Sequence, residues 1–426
     1  MPAIAPFRAL SYAPRLRASL DQLVAPPYDV QSEQQRALLG ARHENNIVHV
    51  DLPRSPGGDD SYAAASRRVQ GWIHDGILVR DAEPAFYLCE QRYRRPSGGE
   101  TTRRGFFARL TLEPLGAGTV IPHERTLDEP RDDRTRLLAA TRLHLSAVFL
   151  LHPDPGGEVA RMVGAAMDGP TLEQARDDEG TLSRVVRLGD RERIDFLTRS
   201  LRRQWALIAD GHHRYESALA YRDERRARGQ HDAEHVLAFF CSLEDQGLAI
   251  YPIHRVVHSI RGFNPIRFQE RLALQFHLTR AASTDELGRV LSSKSGRPGV
   301  FGLALPGGAF WLAEWREGEG LASPELAETP EPLRRLDVIL LHRLVLEGVL
   351  GITPEAQARQ SNLDYVKDAR EVYGRVEDGR AQVGIQMNPT RIEQVIEVTR
   401  RGFRLPQKST YFFPKVLTGL VFDPLD

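Results

Sequence analysis

Residues Trp205 to Ala218 read Trp-Ala-Leu-Ile-Ala-Asp-Gly-His-His-Arg-Tyr-Glu-Ser-Ala, and these residue types in this order could hold an anion. The apolar run ends in Asp210-Gly211, after which Tyr215, Ala218 and Leu219 recur at helical spacing, so the sequence predicts a strand, a tight turn and a helix. The first turn of a helix leaves backbone N–H groups unpaired and carries partial positive charge. Gly211 lets backbone approach a ligand closely, and His212, His213 and Arg214 add side-chain donors for phosphate or carboxylate oxygens. Asp210 has two readings: a helix cap beside two packed histidines, or a participant in a site that assists a metal ion.

A second group follows the short apolar run Val120-Ile-Pro. In His123-Glu124-Arg125-Thr126, Glu124 has the chemistry of a general base toward a hydroxyl or of a metal ligand, while His123 and Arg125 could orient anionic groups. The competing reading is an exposed charged turn. Asp132 and Asp133 either cap the helix that follows or hold Mg²⁺. Near the start, Pro26-Pro27 stiffens the backbone and could hold Tyr28 against a flat ligand such as a base, or could form a surface turn. Lys408 and Lys415 bound an aromatic segment with Ser409 and Thr410; the lysines either meet phosphate or are the solvated ends of a buried strand. His254 and His258 are four apart but lack the Glu of the metalloprotease helix, and their segment reads as extended, which argues against a histidine-based metal site. No Walker-type, Gly-x-Gly-x-x-Gly or Gly-x-Ser-x-Gly signature occurs.

The elements that must position these groups sit in a chain of 426 residues, long enough for two or more domains. Lys and Arg together number 57 and so do Asp and Glu, which gives no electrostatic case for nucleic acid or an anionic membrane. With only Cys89 and Cys241, neither a disulfide framework nor a cysteine-rich zinc site is expected. The first residues lack the pattern of a signal peptide and no run approaches a membrane span, so a cytoplasmic protein is expected.

Residues 85–93 and 104–112, around a Gly-Gly turn, predict one hairpin, and 301–305 with 309–315, around Pro-Gly-Gly, predict another. Helices are expected at 60–74, 134–143, 333–350 and 390–400, and strands at 146–151 and 381–387; residues 234–243 fit either. The mixture predicts an α+β fold with a mixed sheet and antiparallel hairpins.

Taken together, Ile4-Ala-Pro-Phe-Arg8, Ala25-Pro-Pro-Tyr-Asp-Val30, His123-Glu-Arg-Thr126, Asp133-Arg134, Ala209 to Ala218, Pro252-Ile-His-Arg255 and Lys408 to Lys415 resemble, in order and over nearly the whole chain, the family known as domain of unknown function 1015. The succession from Ile121 to Thr126, the helix from Arg134, the run 146–151 and the turn 208–218 is also similar to the core of the ParB and sulfiredoxin superfamily, whose Gly-x-x-Arg turn binds nucleotide phosphates. That superfamily includes chromosome-partitioning switches, sulfiredoxins and free-serine kinases, and Glu124 matches the position of the kinases' loop Glu. The chain departs from ParB by lacking an evident helix-turn-helix module, and from sulfiredoxin by having Gly-His-His-Arg where that family has Gly-Cys-His-Arg.

The resemblance implies an N-terminal α/β region at 1–115 packing on the core, a nucleotide-binding core at 116–262 and a smaller C-terminal α/β region at 263–426. It further implies a phosphotransferase using ATP or ADP with Mg²⁺ on a small hydroxylated metabolite, with free L-serine first in line. Gly211, His212, His213, Arg214, Arg125, Thr126 and Tyr28 would contact the nucleotide, and Glu124, His123 and Asp210 would carry the chemistry. The alternatives are a nucleotide switch or slow NTPase that controls a protein partner, and a phosphatase or phosphoserine-binding protein.

Overall fold

The computed structural model describes residues 3–54, 60–96, 98–116, 118–124, 128–316 and 324–425, with the backbone alone at 128 and 129. Arg125 and Thr126 lie outside the described residues. The chain divides into two units, one formed by Met1–Pro122, Thr126–Ala249 and Pro414–Asp426, the other by His123–Arg125 and Ile250–Phe413. The fold is α+β, with a mixed sheet in the first unit and an antiparallel one in the second.

The first unit is built on a nine-stranded sheet. Its order runs Val120–Pro122, Ala206–Asp210, Val148–His152, His235–Ser242, Glu100–Thr111, Phe86–Arg94, Leu182–Leu188, Thr171–Arg176, with Ile4–Ala5 paired to Glu100–Thr111. Two pairs are parallel, Val120–Pro122 with Ala206–Asp210 and Val148–His152 with His235–Ser242; the others are antiparallel. Residues 235–242 are thus a strand, buried along nearly their whole length as a central strand must be.

Alternation sorts the central strands into two faces. One face, including Phe86, Leu88, Phe106, Ala108, Leu150, Ile208 and Phe240, packs with Val159, Val163, Leu197, Leu201, Tyr215 and Ala218 from three helices into an apolar core. The opposite face buries polar groups. Arg103 is wholly buried there, with its guanidinium 4.5 Å from the Phe149 ring centroid and its Nε donating to Gln91 Oε1 at 3.1 Å. The C-terminal segment joins this unit through backbone bonds between Leu10 and Phe422 and through Arg109 donating to Asp423 at 2.8 Å.

Glu173 gives the unit a pH dependence. Its side chain is buried 3.4 Å from Arg17, and burial, opposed by Arg17, pushes its carboxyl from 4.5 up to about 7. Between those values the folded chain holds a proton that the unfolded chain has released, so this contribution to stability falls as pH rises through the window. Urea denaturation at pH 4.5 and pH 8 should show Glu173→Gln removing about 2–3 kcal/mol of that loss; an unchanged pH profile would refute the assignment.

In the second unit a six-stranded sheet runs Phe276–Ala281, Ala309–Trp315, Val300–Leu305, Val383–Met387, His254–Val257, Leu363–Val366, with every pair antiparallel. His254–Val257 is a strand, so His254 and His258 do not share a helix face. The helix expected over 333–350 is instead a 3-10 turn at Glu331–Leu333, a short α-helix at Asp337–Leu340 and a π-helix at Leu341–Val349, in which Leu350 N bonds Val345 O. The apolar spacing of that segment does not distinguish i→i+4 from i→i+5 bonding.

Candidate functional site

In the first unit, the strand Ala206–Asp210 shifts register against Val148–His152 between Ile208 and Asp210. Such a bulge re-aims the side chains beside it. Gly211 follows at φ 89 and ψ 31 and opens the helix His212–Ala227. Its left-handed conformation favours glycine, and a Cβ there would stand 2.9 Å from Arg214 Cζ and push the guanidinium aside. His212 and Arg214 are buried at the start of this helix, and His213 is half-buried.

Asp210 does not cap the helix. One of its oxygens accepts from Arg214 Nη2 and the other from Lys415 Nζ, while Arg214 Nη1 donates to Ala147 O. Burial alone would raise the Asp210 carboxyl; the Lys415 ammonium and the Arg214 guanidinium outweigh it and hold it well below the usual carboxylate range. The Lys415 carbonyl accepts from Gln91 Nε2 at 2.9 Å, and Gln91 also accepts from Arg103, so one hydrogen-bonded chain runs from Arg103 to Arg214. It contains three cations and one carboxylate. Arg103 Nη1 and Arg214 Nε are buried without a hydrogen-bond partner among the described residues. Lys415 is therefore not the solvated end of a strand: its side chain is 12% exposed.

Beside this chain, Arg134 Nη1 is 3.1 Å from Asp51 Oδ1, and its guanidinium lies 4.2 Å from the Tyr28 ring centroid. One face of Tyr28 is thus covered by Arg134. Asp133 accepts from Tyr62 at 2.7 Å and from Arg134 Nε at 2.8 Å. Because the helix runs over Asp128–Thr141, Asp132 and Asp133 sit inside it and do not cap its start. A cavity of about 50 Å³, lined in part by Asp51, Arg134, Ser146, Arg214 and Ser217, has room for a few waters.

The second group lies in the second unit. Glu124 Oε1 accepts from Ser409 N at 3.2 Å and from Thr410 Oγ1 at 3.3 Å, with His123 Nε2 3.5 Å away. His123 Nε2 is 2.7 Å from Thr410 Oγ1, and its ring meets Phe412 edge-on at 5.6 Å. Backbone pairing with Leu405 and low side-chain exposure show that Glu124, with the buried His123 beside it, does not stand on an exposed turn. Arg255, fully buried, donates to Lys408 O at 3.1 Å, and burial, partly offset by Tyr365 and Glu124, pushes its guanidinium down to about 10. A carboxylate held by a backbone N–H and a hydroxyl, with a buried arginine in its field, is placed to orient or accept a proton from a hydroxyl.

The residues singled out by sequence thus fall into two groups, Tyr28, Asp210, Gly211, His212, His213 and Arg214 in the first unit and His123 and Glu124 in the second. Sequence reasoning missed Arg103, Gln91, Asp51 and Arg255. Among the described residues no group of three or more His, Cys, Asp or Glu side chains could hold a metal ion, and both cysteines are free and buried. No described helix is long and apolar enough to cross a membrane.

The family described as Protein of unknown function (DUF1015) matches residues 4–339. No curated protein sequence matches the chain. Among solved structures, a conserved hypothetical protein from Pyrococcus furiosus is similar over 71% of this chain and 92% of its own, at 13% identity and a TM-score of 0.34. A free serine kinase in complex with AMP is similar over 72% and 98%, at 12% identity and 0.35. SbnI with C-terminal truncation from Staphylococcus aureus is similar over 70% and 82%, at 10% identity and 0.35. Likeness of this degree carries no argument about the chemistry of this chain.

Proposed function

The chain belongs to the family described as Protein of unknown function (DUF1015), and from that premise we propose that it is a nucleotide-dependent phosphotransferase acting on a small hydroxylated metabolite, with free L-serine the first acceptor to test. The observation that carries the reading is the turn after Ala206–Asp210, where a bulge, a left-handed glycine, a helix start and the buried cations Arg214 and Lys415 converge. Cations and helix N–H groups aimed at one place stabilise phosphate oxygens, and phosphoryl transfer asks for little beyond positioning and charge neutralisation.

In this reading Gly211, His212, His213 and Arg214 hold nucleotide phosphates, with Arg125, Thr126 and Tyr28 as further nucleotide contacts, while Glu124 orients or deprotonates the acceptor hydroxyl beside His123. ATP or ADP is the donor. Mg²⁺ would neutralise phosphate charge when bound. It commonly takes one or two carboxylates plus phosphate oxygens; both Asp210 oxygens accept from cations, whereas Asp51 Oδ2 is buried with no hydrogen-bond partner among the described residues and fits that role better.

The test incubates the purified protein with ATP, ADP or CTP, Mg²⁺ and L-serine, and follows phosphoserine against free phosphate. Phosphoserine formed in step with nucleotide consumed is the expected result. Free phosphate alone would favour the switch or slow NTPase, and no nucleotide binding at all would overturn the proposal.

A further inference from the structure

A groove of about 380 Å³ lies between the helices Asp128–Thr141 and His212–Ala227 of the first unit. Its apolar walls are Leu115, Leu219 and Ala220, all half-buried. The charged groups that line it are one cation and three carboxylates, Arg131 against Asp132, Glu216 and Glu224, and Arg131 Nη2 is 3.3 Å from Asp132 Oδ1. Glu216 and Glu224 are left in excess. Glu216 is half-buried, and its Oε2 is buried without a hydrogen-bond partner among the described residues. A buried carboxylate oxygen that lacks a donor carries an uncompensated desolvation cost, which a ligand's N–H would offset.

The helix that opens at Gly211 also places this groove. Glu216, Leu219, Ala220 and Glu224 recur at spacings of three and four, so they share one helix face, and that face continues to His213 in the first turn. Glu216 lies one turn beyond the helix start, and roughly 12 Å of helix separate it from Glu224. Charge along the helix therefore has a direction. The N–H groups and Arg214 at its start attract phosphate oxygens, while the carboxylates beyond repel them and accept from donors. A nucleotide has the same polarity, anionic at its phosphates and, with adenine or cytosine, amine-bearing at its base edge. From this match we infer that Glu216 recognises the exocyclic amine of the nucleotide base, with the ring against Leu115, Leu219 and Ala220; a groove of this size takes a nucleoside. The inference rests on the nucleotide reading above and adds the residue that selects the base. A carbonyl in place of the amine, as in hypoxanthine or uracil, would set an acceptor against the carboxylate and leave it unpaired, and a site built for a donor rejects the analogue that lacks it.

The experiment measures, by isothermal calorimetry on the full-length protein with Mg²⁺, the Kd of ATP against ITP and of CTP against UTP. Within each pair a carbonyl replaces the amine and the net charge is the same, so the ratio reports the base edge alone. One pair should favour the amine-bearing nucleotide by about tenfold or more, and that pair identifies the base. Glu216→Gln should abolish the preference, because a glutamine amide rotates to donate to a carbonyl as readily as it accepts from an amine. Matched thermal melts confirm that the variant is folded. Nucleotide binding with equal affinities within both pairs, or a preference that persists in Glu216→Gln, would overturn the inference and leave the nucleotide reading standing. Binding of none of the four would overturn that reading and the inference with it.

Discussion

Glu124→Gln should lower phosphoryl transfer by about two to four orders of magnitude, the range expected for a positioned general base, while leaving nucleotide affinity unchanged. The substitution separates charge from shape. Glu124 Oε1 accepts from Ser409 N and Thr410 Oγ1, and a glutamine oxygen accepts both bonds, so the 123–124 loop keeps its backbone pairing with Leu405. What disappears is the negative charge that could take a proton from an acceptor hydroxyl. If the carboxylate serves only to pin Ser409 and Thr410, turnover in the variant will match the wild type, and the catalytic assignment fails. Measuring kcat alongside the nucleotide Kd decides between these outcomes. Thr410→Val provides a control of the opposite kind, since it removes the hydroxyl's contacts with Glu124 and His123 and keeps the charge; its effect on turnover should be closer to tenfold, the weight of about one bond to a charged group.

The strand, turn and helix at 206–227 were legible because local signals agreed: an apolar run, a residue pair that permits positive φ, then helical spacing. The hairpins at 86–111 and 300–315 were legible for the same reason, each having glycines at its turn. What neutralises the turn was not legible. Lys415 lies 205 positions from Asp210, and Asp51 lies 83 from Arg134, so both pairings depend on tertiary packing that no local pattern encodes. Arg103 occupies a strand position where alternation predicts only that its side chain shares a face with Gly105; that this face is buried depends on the segments laid over it. Asp132 and Asp133 have the residue type of helix caps, but the helix starts at Asp128 and places them in its interior. The segment from Lys408 to Lys415 serves both groups of residues. Its hydroxyls bond Glu124 within the second unit, and its last lysine bonds Asp210 within the first, so a segment that reads as a buried strand with polar ends supplies ligands to both groups. No change of composition marks residues 123, 250 or 414, where the chain passes from one unit to the other.

Asp210→Asn should destabilise the protein by about 3 kcal/mol at neutral pH, because removing one charge from a buried, hydrogen-bonded pair strands its partners, here Arg214 and Lys415 together. The sign of the pH dependence follows from the depressed carboxyl. Its stabilisation is fully present above the unfolded carboxylate value of about 4 and is lost as pH falls through the lower folded value, so urea midpoints of wild type and variant should converge in acid. Equal midpoints at pH 7 would mean that the pair contributes nothing. The same substitution probes the ligand. In the folded protein Asp210 occupies the Arg214 and Lys415 donors that a phosphate would use, and its charge repels any anion approaching Gly211. Neutralising it should therefore tighten nucleotide binding severalfold at low salt, with the gain shrinking as salt is raised, provided that binding is measured at a temperature where the variant remains folded. Weaker binding that no longer responds to Mg²⁺ would point the other way, to Asp210 turning from its cations to the metal when nucleotide binds. The two results differ in direction, so one titration in the presence and absence of Mg²⁺ decides whether Asp210 stands in for the phosphate or helps to hold it.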